Sequence, residues 1–257
     1  MHSKINFYYA LFYTIILYMD FLYLVEIDST NKYAKNNISK ISDKTVVYTY
    51  NQTLGRGRLQ RKWSYMGEDN IYASIVLKPS KEYKEVYSNL TQLLCVVLTE
   101  VFEEYNICPK IKWPNDIRVN GKKISGILAE AVSGANGLEG LVLGFGVNLN
   151  TKIEILSKID QPATSLNIET GDFIDKEIFL KKVTEKFCLY YNEFIEEGFL
   201  LIRDDYLRRA EFLNKEVAVK VFDRTYEGIA EDVTPNGALK LRDKNNIEHI
   251  LLIGDIL

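Results

Sequence analysis

KWPNDIRVNGKKISGILAE, residues 112–130, is the stretch on which the fold turns. Trp113-Pro114 breaks one short apolar run, Ile111–Trp113, from the next, Ile117–Val119. Asn120-Gly121 is the dipeptide of a two-residue hairpin, whose two central residues both need positive φ, and the β-branched and apolar run Ile124–Ala131 follows it at once. Strands joined this tightly must run antiparallel, because a parallel pair needs a crossover of a dozen residues or more. Outward from this hairpin, Leu138–Val147 and Ile71–Leu77 read as further strands. Between Ile71–Leu77 and the hairpin, Val86–Tyr105 repeats apolar residues at helical spacing (Leu90, Leu93, Leu94, Val97, Leu98, Val101, Phe102), which predicts a helix lying on the sheet. Nearer the amino terminus, Phe21–Ile27 and Lys44–Tyr50 read as strands, with Asp28 or Ser29 as the cap of a helix between them. The predicted class is α+β, with a mixed, mostly antiparallel sheet flanked by helices.

Further along, Lys176–Glu197 and Phe199–Leu213 read as helices, and then the character changes. Short runs at Glu216–Phe222, Tyr226–Val233, Ala238–Arg242 and His249–Ile253, separated by turn residues, predict a small β-barrel. The expected division is a catalytic-sized unit over 19–213 and a barrel over 214–257. Residues 5–25 are long and apolar enough to cross a bilayer, but Asp20 interrupts them and no small-residue cleavage site follows. Translation from Met19 would open on a strand and a helix cap, so three readings of residues 1–18 stay open: a start-site artefact, an extra packing element and a membrane anchor.

At 257 residues, 47% apolar and 26% charged, the chain is long enough to bury a large core. A net charge of −3 argues against a general nucleic-acid binder, whose electrostatic footprint is basic. Three cysteines, Cys95, Cys108 and Cys188, form no close pair and suit a reducing, cytoplasmic setting. With His2 and His249 as its two histidines, the chain has little material for a histidine metal site or a serine–histidine–acid triad. No metal site is expected.

The positive charge is instead local. GRGRLQRKW, residues 55–63, sets Arg56, Arg58, Arg61 and Lys62 between glycines and Trp63. A dinucleotide loop would need a third glycine and a following helix, and a P-loop ending on Gly121-Lys122 would need glycine where Asp116 stands. What remains is a bare backbone with planar, permanently charged forks that match carboxylate and phosphate oxygens. A solvated basic hairpin remains the alternative at this point.

Taken together, DSTN (28–31), GRGRLQRKW, the 112–130 stretch, GFGVNLN (144–150) and PATSL (162–166) resemble, in order and interval, the biotin protein ligases, over a span from about Val25 to the carboxyl end. The resemblance is to the shorter form, without an amino-terminal helix-turn-helix domain, so DNA binding is not implied. It implies a catalytic fold like that of the class II aminoacyl-tRNA synthetases, followed by an SH3-like barrel. The implied reaction joins ATP and biotin into biotinyl-adenylate and pyrophosphate. The biotinyl group then passes to a lysine of the biotin carboxyl carrier domain of acetyl-CoA carboxylase or a related carboxylase. Magnesium is expected through the ATP phosphates, no nucleic-acid or membrane partner is expected, and both monomers and homodimers occur in the family.

By motif, Ser29, Thr30 and Gln52 resemble groups that hydrogen-bond the biotin ring, with Gly55, Gly126, Gly144 and Gly146 letting backbone come close and Trp63 as pocket wall. Arg56 and Arg58 match the loop that folds over the adenylate, and Arg61 a phosphate contact. Lys123 matches the lysine that bridges biotin carboxylate and α-phosphate. Lys112, Asp116 and Asn148 resemble nucleotide-side residues, Asp116 also being placed to orient or activate the acceptor amine. Lys123, Arg58 and Asp116 are therefore the expected catalytic set. Plainer roles stand beside these: Ser29 as a helix cap, the glycines as tight sheet packing, Trp113 as core and Lys122 as a solvated neighbour. Glu130 reads equally as a structural ion pair or a catalytic base. Gln60 stands where many members carry a small residue, and residues 151–161, expected over the adenylate, resemble the family too weakly to assign contacts. The rivals are a lipoate–protein ligase, which the GRGR-x-x-R-x-W and KWPND motifs disfavour, and a non-catalytic biotin- or nucleotide-binding regulator, which would have little need of so many cations.

Overall fold

The computed structural model describes residues 19–79, 87–135 and 137–257, with the backbone alone at Gln60. The expectations for residues 1–18 and the start of the Val86–Tyr105 helix lie outside the described residues. In chain order the elements are β1 (Phe21–Tyr23), α1 (Thr30–Asn36), β2 (Thr45–Thr49), β3 (Gly55–Arg56), β4 (Lys62–Trp63), β5 (Ile71–Leu77), α2 (Leu90–Glu103), β6 (Lys110–Lys112), β7 (Asp116–Val119), β8 (Lys122–Gly134) and β9 (Gly137–Val147). After these come α3 (Ile153–Leu156), α4 (Leu166–Thr170), α5 (Lys176–Glu197) and α6 (Arg203–Arg209). The last strands are β10 (Glu216–Val221), β11 (Arg224–Val233), β12 (Leu239–Arg242), β13 (Glu248–Leu251) and β14 (Asp255–Ile256).

A seven-stranded sheet runs β1-β2-β5-β9-β8-β7-β6, with β1 and β2 parallel and every other neighbour antiparallel. The Asn120-Gly121 turn joining β7 to β8 has φ of 51° and 74°, the mirror-image geometry that its sequence predicts. Side chains alternate across the sheet. Val46, Ala73, Ile75, Leu143 and Phe145 face the main core, packed by α2 and α5. Val47, Val76 and Val142 face the other way onto Ala34 of α1 and Ile38 and Ile41 beyond it. The α1 face is thus only partly covered, and its bare end is where the site forms. A five-stranded antiparallel sheet, β13-β12-β11-β10-β14, follows and docks through Gln92 Nε2 on the Gly237 carbonyl (3.0 Å) and through the Arg203–Asp232 pair (2.6 Å).

Three predicted elements come out shorter. Phe21–Ile27 pairs only as far as Tyr23, and Ile27 makes one bridge to Gln52. The α2 helix proper starts at Leu90, after a 3₁₀ turn over residues 87–89. Phe199–Leu213 is not one helix but a 3₁₀ turn, Gly198–Ile202, and then the seven residues of α6. Ala210 turns extended and bridges Ile111, and the Glu211 N–H donates to the Ile111 carbonyl (3.0 Å). The open edge of β6 captures the chain before a longer helix can form, satisfying backbone groups that would otherwise lie at a sheet edge. No helix among the described residues is long and apolar enough to cross a membrane.

Candidate active site

Register across the sheet assembles the site. Tyr72 of β5, Gly146 of β9, Gly126 of β8, Asp116 of β7 and Lys112 of β6 stand opposite one another in successive pairs, so one row crosses the bare end of the α1 face. The adjacent row holds Ser74, Gly144 and Leu128. Over the glycines opens a cleft of about 780 Å³, its solvent mouth included, roofed by the β3–β4 hairpin.

Twelve of the fifteen residues singled out from the sequence line this cleft: Ser29, Thr30 and Gln52; Arg56, Arg58, Arg61 and Trp63; Asp116 and Lys123; and Gly126, Gly144 and Gly146. The other three are placed differently. Gly55 sits on the outer side of the hairpin, beside a second hollow shared with Asp28, Leu54 and Tyr65. Lys112 is half-buried outside the lining, and burial, with Arg118 beside it, pushes its ammonium below the usual range. Asn148 points its Nδ2 at the Thr164 carbonyl (3.0 Å).

That last bond pins PATSL beside Lys123. The Lys123 N–H donates to the Pro162 carbonyl and its carbonyl accepts from the Thr164 N–H, both at 2.9 Å, so the residue is clamped on both sides of its Cα. Its ammonium lies 2.7 Å from Asp116 Oδ1 and 5.4 Å from the Trp63 ring centroid, in range of a cation–π contact. Trp63 lies flat over glycine backbone: a Cβ on Gly146 would come within 2.4 Å of its indole, and one on Gly126 within 2.9 Å. Gly144 makes room for a side chain too, since a Cβ there would fall 1.9 Å from Asn31 Oδ1.

On the roof, Arg58 Nη1 pairs with Asp255 Oδ1 at 2.9 Å and reaches Asn115 Oδ1 at 3.3 Å. Arg61 Nη1 lies 3.4 Å from Asp255 Oδ2. Between them Leu59 is held at φ 51°, ψ 40°, left-handed backbone that a leucine adopts only at a cost. On the floor, Thr30, Asn31, Gln52 and Ser74 are all buried. Ser29 caps α1, its Oγ accepting from the Lys32 N–H (3.4 Å), and also lines the cleft. Trp113 is core, and Lys122 is exposed.

Sequence reasoning left Asn31, Asn115, Gln161 and Asp255 outside the candidate set, and all four line the cleft. Asn31 and Asn115 sit inside motifs already quoted, where an asparagine beside a helix cap and one in a Pro turn were signals available to follow. Asp255 arrives from β14 near the carboxyl end, and nothing local in sequence marks it. Glu130 does not line the cleft: it pairs with Lys35 at 2.6 Å and accepts from Asn31 Nδ2 at 3.0 Å. Burial pushes its carboxyl up, but the hydrogen bonds from Lys35 and Asn31 outweigh that and hold it below the usual range.

The biotin/lipoate A/B protein ligase family matches residues 23–148, and the biotin protein ligase C-terminal domain matches residues 212–255. The biotin–[acetyl-CoA-carboxylase] ligase of Paracoccus denitrificans is 30% identical over 227 residues, which cover 85% of this chain and 92% of that protein. The bifunctional ligase/repressor BirA of Bacillus subtilis is 29% identical over 208 residues, 80% of this chain; the match spans only 64% of that longer protein. Among solved structures, the biotin protein ligase from Aquifex aeolicus in complex with biotin and ATP superposes with a TM-score of 0.82 at 28% identity, covering 93% of this chain and 98% of that one.

Proposed function

The chain belongs to the biotin protein ligase family, and from that premise we propose that it activates biotin with ATP as biotinyl-5′-adenylate and transfers the biotinyl group to a lysine of a biotin carboxyl carrier domain. The observation that carries this reading is the charge of the cleft. Arg56, Arg58, Arg61, Lys62 and Lys123 line it against two carboxylates, Asp116 and Asp255. Adenylation brings a carboxylate against the α-phosphate, so anions gather at one point and catalysis is largely positioning and preorganised positive charge.

Lys123 is the cation best held for that task. Clamped by the 162–164 segment and lying over Trp63, it brings a fixed ammonium to the carboxylate oxygen that attacks phosphorus and to the phosphate oxygens that gain charge. Asp116, its ion-pair partner, keeps the ammonium aimed, and is the carboxylate nearest to hand to orient an incoming lysine amine. Arg56 and Arg58, on the roof, fold over the adenylate and delay its escape before the carrier arrives, with Arg61 beside them to contact phosphate. The apolar wall of Trp63 and the buried polar floor of Ser29, Thr30 and Gln52 suit a bicyclic ring with a urea edge. Both lining carboxylates are taken up by cations, so magnesium enters with ATP on its phosphate oxygens and water.

ATP–pyrophosphate exchange measured with biotin, with lipoate and with no acid tests the reading. Exchange with biotin alone is expected. Exchange with lipoate instead would reassign the pocket while leaving the chemistry, and biotin binding without any exchange would make the protein a regulator.

A further inference from the structure

Behind the floor of the cleft a chain of buried polar groups runs outward to a single ion pair. Thr30 Oγ1 lies 2.8 Å from Ser74 Oγ, Ser74 Oγ 2.6 Å from Asn31 Oδ1, and Asn31 Nδ2 3.0 Å from Glu130 Oε2. Glu130 Oε1 in turn accepts from Lys35 Nζ at 2.6 Å. Thr30, Asn31 and Ser74 are no more than 5% exposed, so the contacts among them are made protein to protein.

Counting protons gives the chain a direction. A carboxylate accepts only and an ammonium donates only, which fixes the outer end. Asn31 must therefore turn its NH₂ to Glu130 and to the Leu128 carbonyl (3.2 Å); flipped, its oxygen would face two acceptors. Its Oδ1 then faces Ser74 and takes that residue's one hydroxyl proton at the shorter of the two Ser74 contacts. The 2.8 Å contact between Ser74 and Thr30 holds a hydrogen only if Thr30 supplies it. The Gln52 carboxamide oxygen, 3.2 Å from Thr30 Oγ1, is served instead by the Thr30 N–H at 2.9 Å. Thr30, its proton spent inward, is left with lone pairs on the cleft side.

We propose that Glu130, held by Lys35, is a positioning residue that acts through Asn31 and Ser74 to make the Thr30 hydroxyl an acceptor toward the ligand. The floor thereby selects a ring that donates N–H there, as a cyclic urea does and a dithiolane cannot. Gly144 belongs to the same device, because any Cβ at that position would expel the Asn31 carboxamide. The inference rests on the ligase reading and adds to it how the ring end is discriminated.

Calorimetric titration of biotin and of ATP, with exchange rates at saturating biotin, tests it in the full chain for wild type, Glu130→Ala and Glu130→Gln. Glu130→Ala is expected to weaken biotin binding about tenfold, as loss of an outer-shell partner typically does, with ATP affinity and the saturated rate within about twofold. Glu130→Gln, which keeps an oxygen for Asn31, should restore biotin affinity to within about threefold of wild type. Desthiobiotin, which keeps the urea and lacks the thiophane ring, should lose the same factor as biotin in Glu130→Ala. Should Glu130→Ala not fold, Lys35→Met takes its place, with a loss of about two- to threefold confined to biotin. Unchanged biotin affinity in the folded variant, or biotin affinity, ATP affinity and rate falling together, overturns the proposal. A wild type that binds no biotin overturns the ligase reading itself, and the two failures are told apart by that one titration.

Discussion

On the floor of the cleft Thr30, Asn31, Ser74 and Gln52 are buried to within a few per cent and bonded to one another, and Asn31 links them to the charge of Glu130. On the roof Arg56, Arg58 and Arg61 stand on a hairpin of two-residue strands, with Arg61 61% exposed and Leu59 in left-handed backbone. The floor is set before any ligand arrives, because a buried polar group without its partner costs about 1–3 kcal/mol, so a rearranged network is penalised at every member. The roof is held less evenly: Asp255 and Arg58 are mostly buried, but Arg61 is 61% exposed, and an exposed ion pair contributes only about 0–1 kcal/mol. On the proposed reading, the surface that would recognise a neutral ring sits on strands and a helix cap, and the surface that would close over an anionic intermediate sits on a short hairpin held by ion pairs.

The largest effect should come from the residue between the two regions. Lys123→Ala is expected to cut biotin-dependent ATP–pyrophosphate exchange by about 10²- to 10³-fold, the usual loss for a preorganised electrostatic group. A near-normal rate would mean that the roof arginines alone stabilise the transition state. Next is Gly146→Ala, whose methyl would overlap the Trp63 indole at 2.4–2.5 Å. Displacing that wall should weaken biotin binding roughly tenfold while leaving the melting temperature within about 2 °C, because the strain is relieved into the open cleft. A large melting shift instead would place Trp63 in the fold rather than the site.

On the roof alone, Arg58→Gly should raise the share of adenylate found free in solution several-fold while biotin affinity stays within about twofold, since a loop that cannot close cannot hold the intermediate. Retention equal to wild type would remove Arg58 from that role. The smallest effect is expected for Asp255→Asn, which takes the counter-charge from Arg58 and Arg61. The loss should appear as a rise of about two- to fivefold in the KM for ATP, with little change for biotin, because the isosteric amide keeps one oxygen for the arginines. An equal rise for both substrates would show that Asp255 supports the floor as well, and the contrast between the two regions would be lost.

Much of the fold was legible because it is written in local spacing. Asn120-Gly121 fixed the β7–β8 hairpin, and β5 and α5 begin and end where their patterns do. The Phe199–Leu213 run misled because its apolar spacing is helical while the open edge of β6 captures the chain from Ala210 onward, a tertiary demand no local pattern carries.

The site divides along the same line. The sequence by itself determined the cations, the glycines and Trp63, since each is a residue type whose chemistry or bareness is informative alone. Only the tertiary structure decided what the glycines are for and what Glu130 does. Gly126 and Gly146 admit Trp63, Gly144 admits Asn31, and Glu130 accepts a hydrogen bond from Asn31 across 99 residues of sequence. Asp255 likewise reaches Arg58 from β14, near the carboxyl end. Hydrogen bonds and ion pairs act over about 3 Å, and residues so distant in sequence come within that range only once strand register has set them side by side.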